Sequence, residues 1–160
     1  MTFTLRKYQS DDFETLYAID QTCYTPAIAY SRRELRNYLR FPGADCVVAE
    51  NAAKIAGFII TAHEHKWGYI VTIDVLEEYR RYGVGSLLLG EVEGKLHASG
   101  VLEIGLETAT DNPAAIAFWK KHGYVKRGVR KGYYPGGVDA LSMTKPLGAG
   151  KTTTTKTKKN

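Results

Sequence analysis

YIVTIDVLEEYRRYGVGSLLLGEVEGKLHASGVLEIGLET, residues 69–108, changes its hydrophobic period twice. Tyr69 to Val75 is rich in β-branched side chains and apolar on both faces, the pattern of a strand covered on both sides at the centre of a sheet. A polar, glycine-containing turn follows. Val84, Leu87, Leu88, Val92 and Leu96 then recur at helical spacing until Ser99-Gly100 stops the helix. From Val101 to Thr108 the period returns to two, with Leu102, Ile104 and Leu106 facing one way and Glu103 and Glu107 the other. Strand, helix and strand in so short a span form a βαβ unit, so the two strands are expected to be parallel with a right-handed crossover.

Upstream, Ser10-Asp11-Asp12 offers N-cap chemistry ahead of Phe13, Leu16, Tyr17 and Cys23, a helix expected to end near Tyr24. Ser31-Arg32-Arg33-Glu34 is a capping box for a second helix, which Phe41-Pro42-Gly43 breaks. Strands from Asp45 to Glu50 and from Ile55 to about His63 flank the turn Asn51-Ala52-Ala53-Lys54. Downstream, Asn112-Pro113 is a cap and first-turn pair, and Gly123 closes the helix that carries Ala115, Phe118 and Trp119. Tyr124 to Arg130 and Asp139 to Lys145 then make a closing antiparallel hairpin. The fold class is therefore α/β, a mixed sheet flanked by helices, with one domain over 1–147. Residues 148–160, rich in Lys and Thr, have almost nothing to bury and are expected to be a disordered tail.

At 160 residues, with 44% hydrophobic and 24% charged side chains, one globular core is expected. The formal charge is +5, but Lys151, Lys156, Lys158 and Lys159 supply most of it, and the rest of the chain is close to neutral. That balance argues against a specific nucleic-acid face, and Lys126, Arg127, Arg130 and Lys131 read either as a solvated hairpin or as a local binding surface. Cys23 and Cys46 fit no metal spacing and no disulfide framework, which points to a reducing compartment. No stretch approaches the roughly 20 apolar residues that span a bilayer, and the N-terminus lacks a signal core, so a cytoplasmic location away from the membrane is expected.

The segment Tyr79-Arg80-Arg81-Tyr82-Gly83-Val84-Gly85-Ser86 joins the first strand of the βαβ unit to its helix. Two glycines let the backbone curl around a ligand where the helix begins, and a helix N-terminus with its unpaired N–H groups can hold a pyrophosphate. An ordinary strand-turn-helix connection also favours glycine. Gly150-Lys151-Thr152 mimics the end of a P-loop, but Lys145 stands where its first glycine belongs. His63-Glu64-His65 lacks the spacing that puts two histidines on one helix face, and no metal site is expected.

Arg80-x-x-Gly83-x-Gly85 after an apolar strand resembles the acyl-CoA signature of the GNAT acetyltransferase superfamily. Val75-Leu76-Glu77-Glu78-Tyr79-Arg80-Arg81, Leu106-Glu107 with Asp111-Asn112, Ala114 to Phe118, Gly123-Tyr124 and Gly132-Tyr133-Tyr134-Pro135 follow in family order. The likeness covers roughly residues 3 to 147 and is greatest toward the protein N-terminal acetyltransferases, the ribosomal-protein-alanine branch and its archaeal relatives.

The resemblance implies two central parallel strands that splay at their carboxyl ends and hold acetyl-CoA, as co-substrate, in the gap. Ile73, Asp74 and Val75 would line the pantetheine, Ile73 and Val75 through their backbones. The turn Arg80, Arg81, Tyr82, Gly83, Val84, Gly85 and Ser86 would take the pyrophosphate, and Asn112 would touch the carrier near its pantetheine. Glu107 matches the general base, which an amine needs because only its unprotonated form attacks a thioester; alone, Glu107 would read as an exposed strand-end glutamate. Asp74 interrupts an apolar strand, as a hydrogen-bond hub or as a second base. Trp119 stands where relatives have a tyrosine proposed as the acid for the leaving thiolate, and indole surrenders no proton. Tyr133, Tyr134 or Tyr124 would then serve, unless the thiolate leaves unassisted. The expected reaction is acetyl transfer to a primary amine, most simply the α-amino group of a protein or peptide. The alternatives are a small-amine acetyltransferase and a CoA-binding module that has lost turnover. The chain is expected to act as a monomer or homodimer.

Overall fold

The computed structural model describes residues 1–148, so the expected tail falls outside the described residues beyond Gly148. Seven strands form one mixed sheet in the order β1-β2-β3-β4-β5-β7-β6. They are β1 Thr4–Lys7, β2 Asp45–Asn51, β3 Lys54–Glu64, β4 Trp67–Val75, β5 Glu103–Ala109, β6 Val125–Arg130 and β7 Ala140–Pro146. Four helices accompany them, α1 Phe13–Cys23, α2 Arg32–Arg40, α3 Val84–Ala98 and α4 Pro113–Lys121. The described residues divide into two compact units, Met1–Ala62 with Ile70–Gly94, and His63–Tyr69 with Lys95 to Gly148.

In the first unit, Phe13, Leu16 and Ile19 of α1 and Leu35 of α2 pack on Cys46, Val48, Phe58 and Ile60, all buried. The Ser31 box forms as read: the Glu34 amide donates to Ser31 Oγ at 3.1 Å and the Ser31 amide to Glu34 Oε1 at 2.9 Å. The start of α1 differs from expectation. Ser10–Asp12 is a 3-10 turn, and Asp12 reaches back to the Gln9 amide at 2.8 Å while Arg6 clamps the same carboxylate. That guanidinium also pairs with Glu50 at 3.1 Å, which ties β1 to β2 through a charged side chain.

In the second unit, β4 and β5 run parallel, with Trp67 opposite Glu103, Gly68 opposite Ile104 and Tyr69 opposite Gly105. Beyond this ladder β4 continues to Val75 and β5 to Ala109. The final hairpin is antiparallel, and β7 enters between β5 and β6 and pairs with both. Ile104 and Leu106 are buried as the alternation requires, but Leu102 lies before β5 and is 52% exposed. Its backbone is used instead: its amide donates to the Lys66 carbonyl, and its carbonyl accepts from the Leu147 amide.

Candidate functional site

Strand register assembles a polar cluster around Glu107. In the β5–β7 pair Glu107 is directly opposite Ser142, and in the β6–β7 pair Ser142 is opposite Gly128, two residues before Arg130 on the same face. Tyr69 is opposite Gly105, two residues before Glu107, so the side chains meet diagonally across the parallel ladder. The Tyr69 hydroxyl donates to Glu107 Oε1 at 2.6 Å, Ser142 Oγ donates to Oε2 at 3.2 Å, and Arg130 Nε lies 3.5 Å from Oε2. Two donors and a cation hold the carboxylate in place. The cluster lines an open cavity of about 420 Å³, to which Tyr133 and Thr144 also contribute. Such a carboxylate can accept a proton from a group that enters the cavity.

The Tyr69 and Tyr134 phenols stay protonated. Burial, and then hydrogen bonds with Glu107 and Tyr133, push the Tyr69 phenol well above the ordinary tyrosine value. Burial also raises Tyr134, with Tyr133, Glu107 and Asp111 adding to the shift. Of the two expected tyrosines, Tyr133 joins the cavity, whereas Tyr134 stands edge-on behind it with ring centroids 5.0 Å apart. Sequence reasoning missed Tyr69 and Ser142 and noticed Arg130 only as part of a basic cluster. Three members of that cluster form ion pairs within this unit, Arg127 with Glu103, Arg130 with Glu107 and Lys131 with Asp139.

The turn after β4 has the geometry of a ligand cradle. Gly83 has φ +81° and open space where a side chain would stand, and its carbonyl accepts from the Leu87 amide to begin α3. Arg81 is held at φ +70°, a conformation that costs a non-glycine residue about 1 kcal/mol or more. Tyr82 is exposed, whereas Val84 is buried and anchors the helix start. Arg80 does not reach outward in this structure: its Nε donates to the Val75 carbonyl at 2.8 Å.

The neighbouring carbonyls of β4 are also engaged. The Tyr24 hydroxyl donates to Ile73 O at 2.8 Å and the Tyr30 hydroxyl to Val71 O at 3.3 Å. The carbonyls of both Ile73 and Val75, two residues expected to line a carrier, thus accept hydrogen bonds within the chain. Asp74 takes the hub role and not that of an accessible base: it is 1% exposed, and Thr72 Oγ1 donates to its Oδ1 at 2.7 Å. In the other unit Asn112 caps α4 as expected, its Oδ1 accepting from the Ala115 amide at 3.1 Å. Trp119 is 4% exposed and packs edge-on against Phe118 and Tyr124, which makes it a core residue.

Among the described residues no group of three or more His, Cys, Asp or Glu is placed to hold a metal ion, and no helix is long and apolar enough to cross a membrane.

Residues 13–124 match the acetyltransferase (GNAT) family. The N-alpha-acetyltransferase of Saccharolobus solfataricus is 32% identical, over 91% of this chain and 93% of that protein. The ribosomal protein bS18-alanine N-acetyltransferase of Escherichia coli K12 is 28% identical, over 90% of this chain and 97% of that protein. The crystal structure of Ard1 from Thermoplasma volcanium has a TM-score of 0.85 at 29% identity and covers 92% of this chain and 99% of that one.

Proposed function

This chain belongs to the acetyltransferase (GNAT) family and is an acyltransferase that acts on an amine, and we propose that it moves the acetyl group of acetyl-CoA to the α-amino group of a protein or peptide. The observation that carries the reading is the Glu107 carboxylate, held by Tyr69, Ser142 and Arg130 at the wall of a cavity large enough for a few atoms of an acceptor's N-terminus. The relatives named for α-amino and ribosomal-protein-alanine acetylation support the choice of acceptor.

In this reaction the turn Arg81 to Ser86 takes the pyrophosphate on its amides, and the N–H groups of Ile73 and Val75 line the pantetheine. The ammonium group of the acceptor gives a proton to Glu107, directly or through water, and the free amine attacks the thioester carbonyl. The Val75 N–H is assigned to the oxyanion that develops. The C–N bond forms, the C–S bond breaks, the departing thiolate takes a proton from Tyr133, and the second proton of the acylated nitrogen returns to the Tyr133 oxygen through solvent, so that one proton is released in all. Transfer is direct, without an acyl-enzyme. Cys23 and Cys46 are unpaired, and burial pushes the Cys23 thiol up to about 11, which disfavours a nucleophilic thiolate and fits a cytoplasmic setting.

Thiol release from acetyl-CoA, measured with peptides of varied N-terminal residue, polyamines and amino acids, tests the acceptor. Peptide-dependent release is expected. Release with small amines alone would reassign the acceptor, and tight CoA binding without release from any amine would make the chain a binding module. For the carrier site, Gly83→Asp puts a negative charge on an open left-handed position where a phosphate must approach. Calorimetry with CoA should show binding abolished in a variant that stays folded; unchanged affinity would remove the turn from the site.

A further inference from the structure

Two carboxyl groups lie in the core of the first unit, away from the Glu107 cavity. Asp20, in the last turn of α1, is fully buried, and Asp74, on β4, is 1% exposed. Each has one oxygen with a donor. Asp20 Oδ2 accepts from the Tyr30 amide at 2.8 Å, and Asp74 Oδ1 accepts from Thr72 Oγ1 at 2.7 Å. Asp20 Oδ1 and Asp74 Oδ2 are buried and find no donor. The end of α1 lies against β4 here, with Cys23 Sγ 3.5 Å from the Val75 carbonyl and the Tyr24 hydroxyl 3.5 Å from Thr72 Oγ1, and Asp20 acts on Asp74 as a neighbouring acid.

Two neighbouring ionised carboxylates, both out of water, would repel and leave two acceptors unsatisfied, each at a cost of about 1–3 kcal/mol. One proton between them removes both penalties. We infer that Asp20 and Asp74 share a single proton, carried by Asp74 and donated to Asp20 Oδ1, and that this proton latches the segment Tyr24–Tyr30 onto the edge of β4.

The assignment of the proton follows from the partners. Asp20 Oδ2 accepts from a backbone N–H, whereas Asp74 Oδ1 accepts only from the Thr72 hydroxyl. Burial and then Asp20 drive Asp74 well above the usual carboxylate range, with Thr72 and Arg80 opposing. The other titratable groups around the pair do not replace the proton. They are Cys23 at the end of α1, Tyr24 after it, Cys46 on β2 and Arg80 beyond β4. Both thiols and the Tyr24 phenol are themselves pushed up and stay neutral, and Arg80 is bonded to the Val75 carbonyl.

The latch controls a defined piece of chain. Asp20 holds the Tyr30 amide, Gln21 Nε2 donates to the Tyr30 carbonyl at 2.7 Å, and the Tyr24 and Tyr30 hydroxyls sit on the carbonyls of Ile73 and Val71. Loss of the proton turns the Asp20–Asp74 contact from a hydrogen bond into a repulsion between α1 and β4, and the Tyr30 anchor loosens with it. The sign of the stability effect is fixed. The folded chain holds a proton on Asp74 that the unfolded chain releases at neutral pH. The contribution of this group is therefore complete below the ordinary aspartate range and is lost as pH rises toward the folded value, the unfolding constant growing by up to about tenfold per pH unit.

Three readouts on the full chain test the latch. The infrared spectrum at neutral pH should contain the C=O stretch of one protonated carboxyl, absent from Asp74→Asn. The melting temperature should fall from pH 5 to pH 8, a window below thiol and phenol ionisation, and should fall less in Asp74→Asn, whose amide donates to Asp20 at every pH. The exchange protection of the Tyr30 amide, corrected for intrinsic rate, should drop with rising pH in the natural chain and hold constant in Asp74→Asn. If Asp74→Asn does not fold, Asp20→Asn serves, since its amide can donate to Asp74 and accept from Tyr30. No protonated carboxyl at neutral pH, or the same pH slope in a folded variant, overturns the proposal. A kinetic arm rests on the function proposed above: the acceptor KM should rise between pH 7 and pH 9 in the natural chain and rise less in Asp74→Asn. Absence of turnover with any amine would sink that function and leave the spectroscopic and exchange arms to decide the latch.

Discussion

Glu107 on β5 and Asp74 on β4 are carboxyl groups on neighbouring central strands, yet their surroundings differ in donors and in access. Glu107 has an open cavity on one side and three donors on the other, with 11% of its side chain exposed, so it is held in place and still reachable. Asp74 has no water and a second carboxyl for a neighbour, so the neutral form wins. A strand position and a residue type do not decide whether a carboxyl group serves as a base; the count of donors against the count of charges does. On this comparison Glu107 is the group that an incoming molecule can reach, and Asp74 is not.

The strongest way to break the comparison is to neutralise Glu107. Glu107→Gln keeps the size and still accepts from Tyr69, so folding and the affinity for CoA should be retained while turnover drops by about 10² to 10⁴ at neutral pH. Part of the rate should return at higher pH as the acceptor amine deprotonates without help. Equal turnover in Glu107→Gln would leave the cavity without its base, and loss of CoA binding would give Glu107 a structural role like that of Asp74.

Removal of one donor sharpens the same point. Tyr69→Phe deletes the 2.6 Å hydrogen bond to Glu107 and should lower kcat by about tenfold, in line with a hydrogen bond to a charged group. CoA affinity should stay unchanged, and a kcat equal to that of the natural chain would show that the Tyr69 bond does not hold the base in place.

What the sequence disclosed follows the range of the forces involved. The Ser31 box, the Asn112 cap and the βαβ period are local, and each formed where its spacing placed it. The fold class followed from them, and the family from the likeness carried by Arg80-x-x-Gly83-x-Gly85 and the motifs that follow it in order. β1 escaped notice because its four residues carry a charged side chain toward the sheet, where Arg6 is useful only through Asp12 and Glu50. Tyr69 looked like one more strand aromatic, since its role depends on a parallel register that sets it two residues from Glu107, and no local pattern encodes that register. The same holds for Ser142, which β7 brings opposite Glu107 only by inserting between β5 and β6. Asp74 was visible as an anomaly in an apolar strand, but its partner Asp20 sits on a helix far away in sequence, and so its meaning depended on packing.

The smallest effect is expected at Trp119, where the chemistry of the family and the packing of this chain diverge. Its indole is buried between Phe118 and Tyr124, with centroids 5.0 Å and 5.2 Å away, and it fills volume in the core of the second unit. Trp119→Tyr restores a phenol capable of donating a proton but removes part of a ring, at a cost of roughly 1 kcal/mol for the void, equivalent to about 2–4 °C in melting temperature. Tyr133 already shares the cavity with Glu107, so a second acid adds little, and turnover should change by less than about twofold. Tyr133→Phe should lower the rate more than Trp119→Tyr raises it, because in the proposed reaction the proton for the leaving thiolate comes from that phenol. A several-fold gain in Trp119→Tyr, with Tyr133→Phe unchanged, would show instead that thiolate departure limits the reaction and that position 119 is where an acid is missing.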